Sequence, residues 1–248
     1  MTSLQTAGVV GAGVVLAASG GYGISTLFSD GEPDWKPFES TSLTGQYAEK
    51  TKAYFVGENS DAWWNWSYEN RLKKDKNESE TVHYGFAGVL NGNALKGECK
   101  KAYATTKGDV KSTKETNKYL ESEVWRYCSS LETKPKTISE AKETTYNSVS
   151  GSFGNKKKQE LISVKGNDLF WKLRNQEFFG GGIYGPSKAG TIDATKDSLF
   201  KNFLDNGQGK KIKDICEKAY LMEESQDSLS EKAQEATVVK FCSLEGLG

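Results

Sequence analysis

The chain has 248 residues, which is enough for one large domain or two small ones. Hydrophobic residues make up 36% of it and charged residues 27%, a balance that favours two modest helical units over one deep core. Basic and acidic side chains number 33 each and are interspersed, so the formal net charge is zero. A nucleic-acid-binding surface would show a basic stripe, and the composition therefore argues against a nucleic-acid partner.

The first part of the chain is apolar and uncharged. Residues 4–28 contain no charged side chain, and a helix of that length can cross roughly 30 Å of bilayer hydrocarbon. We expect residues 1–30 to be an N-terminal membrane anchor, a transmembrane helix that spans the cell membrane once. A cleaved signal segment and a flexible tail are the alternatives. Acidic residues follow the span and the first lysine is Lys36, which favours an extracytoplasmic position for the bulk of the chain.

Three blocks of sequence occur twice, in the same order along the chain. They are DAWW (61–64) with DLFW (168–171), LKGECKKAYA (95–104) with IKDICEKAYL (212–221), and VWRYCS (124–129) with VVKFCS (238–243). Three matched blocks in one order predict an internal duplication of roughly 90 residues. Two copies are too few for a solenoid, so two similar units side by side are the simpler interpretation.

The repeated blocks have the spacing of helices with one apolar face. Leu95, Cys99 and Tyr103 fall one helical turn apart, and the second copy repeats the pattern. We therefore predict a mainly α fold, with two tandem small helical repeat units after the N-terminal apolar helix. The expected boundaries are 31–132 for the first unit, 133–157 for a polar linker and 158–248 for the second unit.

All four cysteines belong to the repeated blocks, two in each unit. We predict the disulfides Cys99–Cys128 and Cys216–Cys242, which need an oxidising compartment and so agree with an extracytoplasmic position. Buried free thiols are the alternative, because cysteine also packs as a small hydrophobic residue. A metal site is not expected, since the chain has no CxxC motif and a single histidine, His83.

No motif indicates catalysis or a cofactor. The stretch GGGIYGPSKAG (180–190) has the glycines of a phosphate-binding loop, but Pro186 and Ser187 stand where that loop needs a lysine followed by a hydroxyl residue. We interpret residues 178–190 as a flexible insertion in the second unit. The sequence therefore predicts a protein that is not an enzyme and has no catalytic, cofactor-binding or metal-binding residues.

The tryptophan cluster AWWNW (62–66) holds the one candidate binding residue. Trp64 matches Trp171 in the repeat and is expected in the core. Trp66 has no counterpart and is free to stack on a sugar or to grip a partner.

Several of these features together resemble a known group of proteins. The short Gly/Ala-rich span that ends in STLF, the lysine-rich and arginine-poor chain, Cys-x-Lys-Ala-Tyr and Val-x-Lys-Phe-Cys-Ser are similar to the paralogous families of uncharacterised proteins of haemotropic mycoplasmas. The resemblance covers the N-terminal span and the cysteine blocks. It implies display on the surface of a wall-less parasite of red blood cells, and it implies no activity, cofactor or catalytic residue.

The expected function is that of a membrane-anchored, surface-displayed interaction or antigenic protein without catalytic activity. Its expected partners are the membrane, through the N-terminal helix, and a host cell-surface protein. Two alternatives stay open. One is a small-ligand or sugar-binding module that uses Trp66 and the glycine-rich insertion, and the other is a membrane-tethered scaffold that faces the cytoplasm.

Overall fold

The computed structural model describes residues 31–40, 43–78, 81–207, 209–223 and 231–247. Over these ranges the protein is mainly helical, as the sequence predicts. The expected membrane anchor at residues 1–30 lies outside the described residues. Within the described ranges, no helix combines the length and the apolar character needed to cross a membrane.

The helices are short and are joined by irregular segments. The α-helices are α1 (Asp61–Ser67), α2 (Lys73–Asn77), α3 (Gly92–Ala104), α4 (Glu121–Cys128), α5 (Phe153–Lys156), α6 (Asp168–Phe179), α7 (Ser198–Asn206), α8 (Ile212–Tyr220) and α9 (Glu235–Cys242). One turn of π-helix, Tyr68–Leu72, joins α1 to α2 without a break. Strands β1 (Val110–Lys111) and β2 (Tyr119–Leu120) form a parallel pair with Val110 opposite Tyr119.

The first half of the chain packs around α3. This helix begins where the Asn91 side chain caps it by accepting a hydrogen bond from the Ala94 amide, at 2.9 Å. On its exposed side Lys96 pairs with Asp61 of α1 at 2.8 Å. Its other face packs against α1 and α4 and buries the residues that the periodicity predicts, namely Leu95, Cys99, Ala102 and Tyr103.

The second half packs in the same way around α8. Helix α8 contacts α6 and α9, and Lys213 on its exposed side pairs with Asp168 of α6 at 3.3 Å. Helix α7 also packs on α8 and buries Leu199, Phe200 and Phe203. The buried face of α8 consists of Ile212, Cys216, Ala219 and Tyr220.

Each half contains one disulfide. The structure joins Cys99 to Cys128 and Cys216 to Cys242, with Cα–Cα distances of 5.6 and 5.7 Å. Both distances lie at the centre of the range that a disulfide allows. The predicted pairing within each half is therefore the one that the fold contains.

The C-terminal end of α4 is buried, and other elements bind its carbonyl groups. The Cys128 carbonyl accepts hydrogen bonds from the Tyr103 hydroxyl at 2.6 Å and from the Val56 amide at 3.1 Å. The Ser67 hydroxyl donates to the Tyr127 carbonyl at 2.9 Å. The last carbonyls of a helix have no partner within the helix, so these donors satisfy groups that burial would otherwise leave unpaired.

The end of α9 is bound by equivalent donors. The Cys242 carbonyl accepts hydrogen bonds from the Ile162 amide at 2.9 Å and from the Tyr220 hydroxyl at 3.2 Å. The tyrosine of each Cys-x-Lys-Ala-Tyr block thus binds the carbonyl of the cysteine to which its own block is bridged.

The stretch 133–157, expected to be a polar linker, contributes side chains to the core. Ile138, Tyr146 and Phe153 are almost fully buried. The Ile138 amide donates to the Leu161 carbonyl at 2.9 Å, and the Tyr146 ring lies 5.4 Å from the Tyr220 ring, centroid to centroid. These three apolar residues of an otherwise polar stretch pack against the second half.

The two halves share one apolar core. The Tyr184 hydroxyl of the 178–190 insertion donates to the Ala53 carbonyl at 3.0 Å, and the Gly246 amide donates to the Lys50 carbonyl at 3.0 Å. Residues late in the chain therefore bind residues that precede α1.

Removal of one disulfide tests how much each bridge stabilises the fold. We expect the double variant Cys99→Ala/Cys128→Ala to lower the free energy of unfolding by about 3 to 4 kcal/mol, because the bridge restricts the unfolded chain. Cys216→Ala/Cys242→Ala, which opens a loop of similar length, is the matched comparison and should cost about as much. Urea denaturation followed by circular dichroism measures both losses. A loss below about 1 kcal/mol in both variants would contradict a stabilising role.

Candidate functional site

Trp66, the predicted binding residue, is half-buried on α1. Trp63 and Trp64 beside it are fully buried, and the Trp64 indole N–H donates to the Gly57 carbonyl at 3.1 Å. The Arg71 guanidinium lies 4.7 Å from the centroid of the Trp66 ring, within cation–π range. One face of the Trp66 ring is therefore occupied by this arginine, and its binding role stays a prediction.

Arg71 connects the π-turn to the end of α4. Its guanidinium donates to the carbonyls of Ser129 at 2.7 Å and Arg126 at 2.9 Å, and to the Glu132 carboxylate at 3.2 Å. Burial lowers the pKa of Arg71, and the Glu132 and Glu32 carboxylates oppose this shift. With its donors used in this way, Arg71 is a structural residue.

Arg174 on α6 makes the corresponding contact in the second half. It is fully buried and donates to the Ser243 carbonyl at 2.6 Å and to the Glu245 carbonyl. Its Nη1 lies 3.2 Å from Oε2 of Glu177, which is also buried. The Tyr54 hydroxyl donates to the same Glu177 oxygen at 3.4 Å, so this charged pair lies where the two halves meet.

A second buried carboxylate, Asp75 of α2, binds α4. Arg126 donates to it through Nε and, at 2.6 Å, through Nη2, and the Tyr127 hydroxyl donates to it at 2.8 Å. Burial disfavours the ionised form, but these hydrogen bonds outweigh it and hold the pKa of the Asp75 carboxyl below its usual range. The carboxylate is thus occupied by donors of the fold.

Glu123 lies close to this network beside a cavity of about 290 Å³. Burial raises the pKa of Glu123, and the hydrogen bond from the His83 amide, at 2.9 Å, partly offsets this effect. Nδ1 of the His83 ring lies 2.9 Å from the Thr81 carbonyl and 3.7 Å from Oε1 of Glu123. The cluster fixes the loop at 81–83 against α4.

The glycine-rich insertion forms one wall of a groove of about 600 Å³. Gly180 has a φ of +85°, and a Cβ atom there would collide with the Ser187 backbone, so the turn requires glycine. Gln176 and Phe179 of α6 also line the groove, as do Lys210 and Lys211 immediately before α8. The volume is that of an ordinary small-molecule site.

Two properties of this groove determine which kind of ligand it suits. Oε1 of Gln176 is buried and has no hydrogen-bond donor among the described residues. A buried unpaired acceptor costs about 1 to 3 kcal/mol, so a ligand that donates to it gains affinity. Lys210 and Lys211 are exposed, and neither forms an ion pair with any carboxylate in the described ranges.

A second concavity, about 460 Å³, lies between the two halves and has a different charge arrangement. Its lysines are neutralised by carboxylates: Lys134 lies 3.2 Å from Glu121, and Lys50 pairs with Glu245. This cleft therefore offers a ligand no excess charge, whereas the groove offers two ammonium groups that no described carboxylate neutralises.

Among the described residues, no three histidine, cysteine, aspartate or glutamate side chains come together in a way that could hold a metal ion. Comparison of the chain with protein-family models, curated protein sequences and solved structures finds no match. The case for function therefore comes from this chain's own residues.

Sequence reasoning identified the insertion but missed the rest of the groove. Gln176 and Phe179 occur in an unremarkable helix, and Lys210 and Lys211 are two lysines among many. They lie about 30 residues apart along the chain, and no local pattern links them; only the packing of α6 against α8 brings them together.

Replacement of Arg174 by methionine tests its structural role. We expect Arg174→Met to lower the free energy of unfolding by about 3 to 5 kcal/mol, because it leaves the buried Glu177 carboxylate without its cation. Lys172→Met, on the exposed face of the same helix, is the matched control and should change it by less than about 0.5 kcal/mol. Equal, small effects in urea titrations of the two variants would show that the buried pair does not hold α6.

The Asp75 network makes stability depend on pH. The pKa of Asp75 is lower in the folded than in the unfolded chain, so its contribution is complete above about pH 5 and is lost as the pH falls through the folded pKa. We expect Asp75→Asn to cost about 1 to 3 kcal/mol at pH 7 and less at pH 3. Asp61→Asn, at an exposed ion pair, is the control. An Asp75→Asn loss of the same size at both pH values would contradict the assignment.

Proposed function

We propose that this chain is a membrane-anchored interaction protein displayed outside the cell and built from two copies of one disulfide-linked helical unit. The observation that carries this proposal is the pair of disulfides at corresponding places in the two halves. Disulfides form and persist in oxidising compartments and are rare in the cytosol. The apolar stretch within residues 1–30 supplies the anchor in this proposal.

Matching hydrogen bonds support the duplication. The Trp64 indole donates to the Gly57 carbonyl at 3.1 Å, and the Trp171 indole donates to the Ser163 carbonyl at 3.0 Å. The two carbonyls lie seven and eight residues before their tryptophans, so the bonds match in kind and differ by one residue in register. Descent from one ancestral unit accounts for them more simply than independent selection of each contact does.

Two further hydrogen bonds support a proposed start of the second unit within the stretch expected to be a linker. The Gly57 amide donates to the Lys36 carbonyl at 2.7 Å, and the Ser163 amide donates to the Lys136 carbonyl at 2.9 Å. Lys136 is thus the counterpart of Lys36. The proposed second unit begins near residue 136, some twenty residues before the expected boundary.

The proposed role in binding a partner rests on which parts of the two units differ in sequence. The buried bridges and tyrosines are shared, whereas exposed stretches such as residues 185–188 of the insertion and the loop with Tyr84 and Leu90 occur in one unit alone. A constant scaffold with variable exposed segments suits recognition of a partner. The resemblance to haemotropic mycoplasma proteins makes a host cell-surface protein the proposed partner.

Two measurements on cells that produce the full chain test this proposal. Mass spectrometry with thiols alkylated at lysis should recover the linked peptides Cys99–Cys128 and Cys216–Cys242. Protease added to intact cells should digest residues 40–248 while a cytosolic marker enzyme stays whole. Four alkylated thiols together with a protected chain would overturn the proposal and favour a scaffold that faces the cytoplasm.

A further inference from the structure

We infer that the groove between the 178–190 insertion and the start of α8 binds an acidic monosaccharide. This inference goes beyond surface display, because it concerns the chemistry of one groove and holds whichever way the chain is oriented. Three properties of the groove carry it: its charge, an unpaired acceptor and the form of its walls.

The charge selects an anion. Lys210 and Lys211 are adjacent, exposed and without a carboxylate partner among the described residues. Lysine binds carboxylates and phosphates as a flexible point charge, and it does so best where no internal anion competes. The lysines of the cleft between the halves, such as Lys134 with Glu121, do not meet this condition.

The unpaired acceptor selects a ligand that also carries hydroxyl groups. Gln176 lines the groove, and its Oε1 is buried and accepts no hydrogen bond from the described residues. This oxygen lies beside the Gly182 backbone, so the Gln176 side chain has to turn towards the groove when a ligand binds it. A sugar hydroxyl can donate to this oxygen, whereas a fully ionised inorganic anion has no proton to donate.

The walls are suited to a pyranose ring. Around Gly181, Gly185 and Gly209 there is open space where a side chain would begin, so the backbone itself forms the surface at these points. Phe179 is half-buried, and its ring is held 5.0 Å from the Phe203 ring, centroid to centroid. An aromatic surface of this kind packs against the apolar face of a sugar while polar groups bind its hydroxyls.

Calorimetric titration of the folded protein tests the inference directly. The probes are glucuronate and glucose 6-phosphate, with glucose and inorganic sulfate as controls that each lack one of the two required features. We expect saturable binding of at least one acidic sugar, at least tenfold tighter than binding of either control, and weaker in high salt. No binding of either acidic sugar would overturn the inference, and so would equal affinity for sulfate, which would indicate a site for anions only.

Two charge-reversal variants establish where the sugar binds. Lys210→Glu/Lys211→Glu should weaken binding at least tenfold, whereas Lys156→Glu/Lys158→Glu makes the same change in charge outside the groove and should leave affinity within twofold. Circular dichroism confirms that each variant is folded. Gln176→Leu removes the unpaired acceptor without a change in charge and should also weaken binding. Equal affinity of the two charge variants would place the site elsewhere and overturn the assignment, even if the disulfide and protease results hold.

Discussion

The fold depends on how the buried carbonyl groups at the ends of α4 and α9 are satisfied. These helices end inside the protein, where water cannot pair with the last carbonyls, and an unpaired group there would cost more than a hydrogen bond normally contributes. Tyr103 and Tyr220 supply hydroxyl donors, and Arg71 and Arg174 supply guanidinium donors one residue further on. The disulfides then fix the helices that carry the tyrosines to the helices whose ends they bind.

This requirement accounts for two of the three arginines in a lysine-rich chain. Arg71 and Arg174 each bind the carbonyl of the serine that follows the second cysteine of their half. The two arginines occupy different positions in the repeat. Arg174 aligns with Ser67, whose hydroxyl binds the Tyr127 carbonyl. In the first half the arginine that binds the serine carbonyl is Arg71, which lies in the π-helical turn after Ser67. The two halves thus preserve the same bond with different residues, which a comparison of sequences alone does not reveal.

The parts of the fold that the sequence predicts are those with a local pattern. Helical spacing places Leu95, Cys99 and Tyr103 on one buried face, and the repeat indicates which cysteines pair. The packing of residues 133–157 has no such pattern, because Ile138 and Tyr146 are isolated apolar residues whose burial depends on contacts far along the chain. The groove was hidden for the same reason, since its walls come from α6, the insertion and the segment before α8.

The hydrogen bond between Tyr184 and Ala53 bears on whether either half of the chain can be separated from the other. Three blocks of sequence match between the two halves, yet the insertion that distinguishes the second half is one of the segments that bind the first. Tyr54 from the first half and the Arg174–Glu177 pair from the second are buried against each other. A half produced alone would expose an ion pair and aromatic rings that the other half normally covers. The two halves, although three blocks of their sequences match, therefore form one body with a shared core.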